Sequence, residues 1–184
     1  KVRGHLKVVL KDALTGKVLK VDEGPNLVLN TGLESLCHLM TGDIIVPTDV
    51  AVGNTIATTQ KASPYLPLYG QFGTNATVPR ATDVPPRFNG TLDDNMVTPY
   101  GASDIIRTNS FYLDQENSFT IQLLLPPTKG NGPGSITYRE AVLMCKVTDS
   151  PLKYKWFARR VFGDIEKNST TLIEAEWTFT FLAG

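Results

Sequence analysis

Hydrophobic and polar residues alternate most regularly near the end of the chain, between Leu172 and Phe181. Apolar side chains occupy every second position there, with glutamate or threonine between them: Ile173, Ala175, Trp177, Phe179 and Phe181 against Glu174, Glu176, Thr178 and Thr180. A period of two residues places one face of a β-strand on a core and the other face in water. The pattern predicts an antiparallel sheet with one buried face, to which Phe181 contributes.

Extended patterns recur along the rest of the chain and predict about nine strands joined by turns. Gly24 and Pro25 are expected to interrupt the second of these, and Pro47 to confine another strand to a sheet edge. The predicted strands comprise Val2–Leu10, Lys17–Val21, Asn26–Gly32, Asp43–Gly53, Ile105–Leu113, Ser118–Leu125, Ser135–Val147, Tyr154–Phe162 and Leu172–Phe181. This spacing is typical of a β-sandwich or jelly roll, and a chain of 184 residues fits a single domain over residues 1–184.

One short α-helix is predicted at about residues 32–41. Thr31 is the expected N-cap and Glu34 follows three residues later, which is the spacing of a capping box. The apolar residues after it recur at helical spacing and predict a buried stripe of Leu33, Leu36, Cys37 and Met40. Gly42 follows where a left-handed C-cap would end the helix.

The stretch from Asn54 to Asp104 lacks a lasting period and is rich in proline, containing six of the chain's twelve. A loop of this length inside a compact domain is either disordered or ordered by another subunit. Disordered segments are usually poor in aromatic residues. We therefore predict that residues 54–104 form an ordered arm or insertion whose aromatic side chains bind a partner, namely Tyr65, Tyr69, Phe72, Phe88 and Tyr100.

Charge and composition exclude several function classes. Eighteen basic and eighteen acidic side chains give no net charge, so nucleic acid and anionic membrane surfaces are not expected partners. The longest apolar run is far short of a bilayer span and no secretory signal pattern opens the chain, so a soluble protein is expected. Cys37 and Cys145 have no CxxC spacing, and both are expected to pack as small apolar side chains in a reducing compartment.

Two glutamates offer the only arrangement that suits a known reaction. Glu174 and Glu176 lie two residues apart on one strand face, about 6.8 Å by strand geometry, which loosely suits the carboxylates of a glycosidase. Glutamates that alternate with threonines also serve simply to solvate the outer face of a strand. We favour that interpretation and predict no catalytic residues.

Metal and phosphate chemistry have weaker support. His5 and His38 are the only histidines and have no matching ligand spacing, while Asp93-Asp94 and Asp164 with Glu166 lack the spacing of a calcium loop, so no metal and no cofactor are predicted. Lys129–Gly134 is glycine-rich but lacks the ending of a phosphate-binding loop and is expected to form a hairpin tip. Arg159 and Arg160 are expected to form local ion pairs.

Several segments, taken in order, resemble a loose family of bacteriophage virion proteins from tails, baseplates, fibres or head decoration. The matching segments are Asn26–Leu33, Val50–Gly53, Ile136–Leu143, Phe157–Phe162, Ile165–Lys167 and Trp177–Phe181, and residues 54–104 are longer and richer in proline than the usual connection. The resemblance implies a non-enzymatic virion component, assembled in the cytoplasm of the bacterial host as a homo-oligomer with other virion proteins as partners. It implies no catalytic residues.

Two alternatives from other classes stay open. A carbohydrate-binding module for host-surface attachment would use exposed tyrosines such as Tyr65, Tyr69 and Tyr100 to stack on glycans. A β-sandwich glycosidase would use Glu174 and Glu176.

Overall fold

A computed structural model describes residues 1–41, 66–74, 76–82, 106–115, 117–131, 134–149 and 152–182. The elements in chain order are β1 Val2–Asp12, β2 Val18–Val28, α1 Asn30–Thr41, β3 Tyr69–Gly73, β4 Ile106–Gln115, β5 Ser118–Leu125, β6 Ile136–Asp149, β7 Leu152–Lys167 and β8 Thr171–Phe181. The predicted strand Asp43–Gly53 lies outside the described residues.

The eight strands pair with antiparallel neighbours in the order β1-β2-β7-β6-β3-β4-β5-β8, and β8 closes the ring on β1. Long pairings hold β2, β1, β8, β5 and β4 together as a first sheet, and β7, β6 and β3 as a second. The predicted fold class, mainly antiparallel β with one short helix, is confirmed. The two layers of the sandwich also join along both edges, which makes the structure a closed barrel.

The two sheets join at two edges. At one edge, β2 pairs with β7 only through Leu27 opposite Arg159 and Val28 opposite Ala158. At the other, the described residues of β3 and β4 pair through Tyr69 opposite Arg107 and Gly70 opposite Ile106. We call these the β2–β7 seam and the β3–β4 seam.

Side chains bridge the β2–β7 seam where its backbone pairing stops. Asp22 on β2 forms an ion pair with Arg160 on β7 and accepts a hydrogen bond of 3.0 Å from the backbone N–H of Gly163. The Lys20 ammonium donates to the carbonyl of Asp164. Charged side chains thus connect the two sheets where a continuous strand ladder would have used backbone groups.

The core lies between the two sheets and is centred on the strand that the sequence predicts best. β8 alternates buried and half-buried residues from Thr171 to Thr180 as predicted. The ring of Phe179 lies 5.1 Å from that of Phe119 on β5 and 5.1 Å from that of Phe157 on β7, measured between centroids. The alternation ends before Phe181, which is 36% exposed, so its predicted place in the core is wrong.

Strands β2 and β3 depart most from the predicted arrangement. β2 continues through Gly24 and Pro25 to Val28, because these residues pair with Leu6 and His5 of β1 and add to the ladder instead of ending it. β3 falls inside the predicted insertion of residues 54–104 and pairs with β6 from Tyr69 to Gly73. A segment of the proline-rich stretch is therefore an integral strand of the second sheet.

Helix α1 has the predicted position but not the predicted cap, and the predicted stripe is only partly buried. The Thr31 hydroxyl donates to the carbonyl of Trp156, and Glu34 binds Lys155 at 2.9 Å, so the capping box is wrong. Leu36 is buried as predicted, together with Gly32 and Ser35. Leu33 and Cys37 are exposed, so their predicted burial is wrong, and the side chain of Met40 lies outside the described residues. The register shifts because an added Cβ at residue 32 would fall on the Phe157 carbonyl of β7, so Gly32 marks the contact face.

Residues on the outer side of the second sheet are also buried. They form a small second cluster of Leu29, Val142, Met144 and Trp156, with Leu27 and Tyr69 packed against it. The segment 76–82 contacts this side: the Ala81 carbonyl accepts from the N–H of Asn30, and the Thr77 carbonyl accepts from Arg159. The second sheet is therefore covered on both faces, whereas side chains on the outer face of the first sheet, such as Val18 and Val21, are exposed.

Candidate functional site

The open outer face of the first sheet carries a groove of about 380 Å³. Strands β2, β1, β8 and β5 supply its lining through the side chains that alternate away from the core. We call this surface the β1–β8 face; its outward residues are Lys7, Val9, Lys11, Val18, Val21, Gln122, Leu124, Glu174 and Glu176.

Apolar side chains cross this face in a place where a solvated sheet would carry polar ones. Val18 and Val21 on β2 are 50% and 46% exposed, and Val9 and Leu124 are half-buried. In the strand register, Val21 of β2 lies opposite Val9 of β1, and Glu174 of β8 lies opposite both Val9 and Leu124 of β5. Three apolar residues therefore lie in one row across four strands, interrupted only by Glu174.

Opposite charges run along the two central strands of the face. The Lys11 ammonium lies 2.5 Å from the Glu174 carboxylate, and Gln122 donates to Glu176 at 3.0 Å. Lys7 stands directly across from Glu176 in the strand register and is exposed. No ion pair joins these two side chains or engages Lys7 elsewhere in the part of the chain that the structure describes.

The contacts of Glu174 and Glu176 bear on the glycosidase alternative. Each carboxylate is held by a neighbour on the adjacent strand, Lys11 for Glu174 and Gln122 for Glu176. Both project from the same strand to the same side, so they do not flank a cleft from opposite walls, as the two carboxylates of a glycosidase flank the scissile bond. The geometry fits the outer-face interpretation of the two glutamates better.

A buried ion pair lies on the outer side of the second sheet. The guanidinium of Arg159 is 2.8 Å from the Glu140 carboxylate, and their side chains are 5% and 0% exposed. Arg160 pairs with Asp22 at the β2–β7 seam. The predicted local ion pairs of Arg159 and Arg160 are thus confirmed. Both arginines tie structural elements together, since Arg159 also donates to the Thr77 carbonyl at 3.1 Å.

A second buried charge closes one end of the barrel. Lys167 has no exposed surface, and its ammonium donates to the Lys129 carbonyl and the Asn131 side-chain oxygen, each at 2.7 Å. The Tyr138 hydroxyl donates to the Gly130 carbonyl at 2.9 Å. The predicted hairpin tip therefore folds back onto the barrel, and burial lowers the pKa of Lys167 to about 8.

The predicted aromatic contact residues do not form one surface among the described residues. Phe72 is 2% exposed and packs edge-on to Tyr138 in the core, with ring centroids 6.0 Å apart. Tyr69 is half-buried against the second cluster. Tyr65, Phe88 and Tyr100 lie outside the described residues, as do Asp93 and Asp94. Partner or glycan binding by these aromatic residues stays a prediction.

The other candidates are dispersed. His38 on α1 lies 3.8 Å from Glu34, whereas His5 belongs to β1. Asp164 binds Arg139 at 2.7 Å, and this pair lowers the pKa of the Asp164 carboxyl, while Glu166 accepts from Ser135. Within the described ranges, no three His, Cys, Asp or Glu side chains group as metal ligands. Among the same residues, no helix is long and apolar enough to cross a membrane.

The apolar part of the β1–β8 face was not among the predicted sites. A signal was present, because Val8-Val9 and Leu123-Leu124-Leu125 place apolar residues at consecutive positions of strands that otherwise alternate. In a strand with one buried face, one residue of each such run must point outward. Val9 and Leu124 are the outward members.

Comparisons of this chain with protein families, with curated proteins and with solved structures find no match.

Proposed function

We propose that this chain is a non-enzymatic structural protein that acts by assembly, as a component of a bacteriophage particle. The observation that carries the proposal is the β1–β8 face. A mainly apolar row of side chains runs there across the strands, next to the lysines of β1 and the glutamates of β8. Exposed apolar surface of this kind, with a polar surround, marks contact sites between proteins.

The way the charged groups are used supports a structural role. Arg159, Arg160 and Lys167 each connect separate elements of the barrel through buried or half-buried contacts. Glu174 and Glu176 are engaged by Lys11 and Gln122 on the open face. These interactions favour a rigid body with a defined surface, which is what repeated assembly requires.

The segments that suggest a virion protein also meet in the fold. Leu27, from the first such segment, pairs with Arg159 of a later one, and Arg159 pairs with Val142 of a third. These segments form consecutive strands next to α1. They therefore constitute one structural unit. The whole set of segments, in the order that resembles the virion proteins, supports the proposal more than any one segment alone.

In this role the partners are other virion proteins and further copies of the chain. The place of action is the virion, assembled in the cytoplasm of the bacterial host. The test is mass spectrometry of particles purified from the source by density gradient, together with immunogold labelling. Stoichiometric presence with label at a fixed position is expected. Absence from particles that carry their other structural proteins would contradict the proposal.

A further inference from the structure

We infer that the β1–β8 face binds the same face of a second copy of this chain, about a two-fold axis that runs parallel to the strands between β1 and β8. The inference rests on the proposed role in assembly and names the partner of the candidate surface.

The register arranges the outward side chains in rows across four strands. One row is charged and polar, and the next is mainly apolar. In the order β2, β1, β8, β5, the first row is Glu23, Lys7, Glu176 and Gln122, and the second is Val21, Val9, Glu174 and Leu124.

An axis parallel to the strands exchanges β1 with β8 and β2 with β5 within each row. Lys7 then faces Glu176 of the second copy, and Val21 faces Leu124 of the second copy. Both contacts occur twice, because a two-fold interface is isologous. Val21 at one margin of the face therefore meets Leu124 at the other, and the ammonium of Lys7, which forms no ion pair with the described residues of its own copy, meets a carboxylate.

The alternative in-plane axis, perpendicular to the strands, would be unfavourable. It would lay β1 on β1 and β8 on β8 of the second copy. The lysines of β1 would then approach those of β1 in the other copy, or the glutamates of β8 those of β8 in the other copy, depending on where along the strands the axis lies. Like charges set against each other select against a wrong docking geometry. The charge columns therefore choose the axis parallel to the strands.

The size of the face suits a modest interface. Strands about 4.8 Å apart, with roughly eight residues each at about 3.4 Å, give four strands a flat projection on the order of 500 Å². Protruding side chains raise the accessible area toward the roughly 800 Å² per partner of a stable complex. Two sheets that pack face to face keep their strands within about 30° of each other, which the parallel axis permits.

Sedimentation velocity of the whole chain over a concentration series tests the inference. The wild type is expected to dimerise, with saturation by about 500 µM if Kd is micromolar. Lys7→Glu and Glu176→Lys, each alone, are expected to raise Kd about tenfold or more, because two symmetry-related contacts change from attraction to repulsion. An equimolar mixture of the two variants is expected to recover dimers, as heterodimers.

Recovery on mixing separates the contact between copies from effects inside one copy. Each single variant also places like charges opposite each other within its own sheet, since Lys7 pairs with Glu176 in the register. Mixing leaves that internal repulsion unchanged and relieves only the repulsion between copies. The double variant Lys7→Glu/Glu176→Lys is expected to form homodimers as the wild type does. Thermal melts of all four proteins check that they fold.

The apolar contact has a matched control. Val21→Asp on the face is expected to abolish dimerisation, whereas Val78→Asp, at a 76% exposed position on the segment that covers the second sheet, is expected to leave it unchanged. Three results would each overturn the inference. The wild type could be monomeric at about 500 µM, the folded single variants could dimerise as strongly as the wild type, or the mixture of variants could stay monomeric. If the wild type is monomeric but present in purified particles, only the proposed contact between two β1–β8 faces is wrong. If it is dimeric but absent from those particles, only the proposed virion role is wrong.

Discussion

The guanidinium of Arg159 lies 2.8 Å from the carboxylate of Glu140, and neither side chain has more than 5% of its surface exposed. Removal of one charge from a buried pair leaves the other without compensation. We expect Glu140→Ala to lower the free energy of unfolding by about 3–5 kcal/mol. Urea denaturation followed by circular dichroism measures this.

Two comparisons make that result specific. The double variant Glu140→Leu/Arg159→Met, which removes both charges, is expected to be more stable than Glu140→Ala, because no uncompensated charge remains. Asp164→Ala, which breaks the exposed pair with Arg139, is expected to have a much smaller effect. Equal destabilisation by Glu140→Ala and Asp164→Ala would contradict a structural role for the buried pair.

Lys167 makes stability depend on pH. Burial lowers its pKa to about 8 from an ordinary value of 10.5. Between these two values the unfolded chain holds a proton that the folded chain has released. The free energy of unfolding is therefore expected to rise with pH across this window through this group, and to be insensitive to this group below about pH 8, where both states hold the proton.

Urea denaturation of Lys167→Met and of the wild type is compared at about pH 7, 9 and 10. These values lie below and within the range between the folded and unfolded pKa of Lys167. The stability difference between wild type and variant is expected to shift in favour of the wild type as pH rises. Other groups that titrate in this pH range contribute equally to both proteins, so the difference in stability isolates the contribution of Lys167. Lys129→Met, an exposed neighbour whose carbonyl binds Lys167, is the control and should parallel the wild type. Parallel curves for Lys167→Met would refute the assignment.

Gly32 is expected to tolerate no side chain, although alanine favours helices. A Cβ there would fall on the Phe157 carbonyl, so α1 would have to move away from β7. We expect Gly32→Ala to destabilise the fold by about 1–3 kcal/mol, as overpacking does, in spite of the gain in helix propensity. Thermal unfolding measures it. Leu33→Ala, on the exposed side of the same turn, should change the melting temperature little.

The two cysteines are expected to differ in reactivity. Cys37 is exposed on α1, whereas Cys145 is buried and its burial raises the pKa of the thiol to about 12. Reaction with Ellman's reagent requires an accessible thiolate. We expect one thiol to react in the native protein and a second only after denaturation. Loss of the native reaction in Cys37→Ser identifies the residue; a rapid second reaction without unfolding would show that Cys145 is accessible.

The sequence was sufficient to predict elements whose side chains meet one environment on each face. β8 packs on one core and alternates accordingly, so its pattern gave both its position and its buried face. The second sheet was harder, because Ala141 to Cys145 of β6 are buried at every position and show no period. A strand covered on both sides carries no alternation from which its outer face can be recognised.

Features that depend on contacts distant in sequence could not be predicted. The burial of Gly32 and the exposure of Leu33 follow from where the Phe157 carbonyl lies, and neither is visible in the helical period. Nothing in the sequence around Lys167 marks it as buried, because its ammonium is enclosed by the hairpin tip, which precedes it by more than thirty residues. The sequence identifies Glu174 and Glu176 as a surface pair. The alignment of Val21, Val9 and Leu124 in one row could not be predicted, because it depends on the register of four strands.

The scarcity of backbone pairs at the β2–β7 seam has a consequence for how the molecule fluctuates. This seam holds its strands by two residue pairs, whereas β1–β8 and β6–β7 are paired almost along their whole length. Local opening that needs few broken hydrogen bonds is the least costly. The β2–β7 seam is therefore expected to open more readily than the pairings within either sheet. Native-state amide exchange should then be faster at Leu27 and Val28 than at Leu6 and Val8, and uniform protection would contradict it.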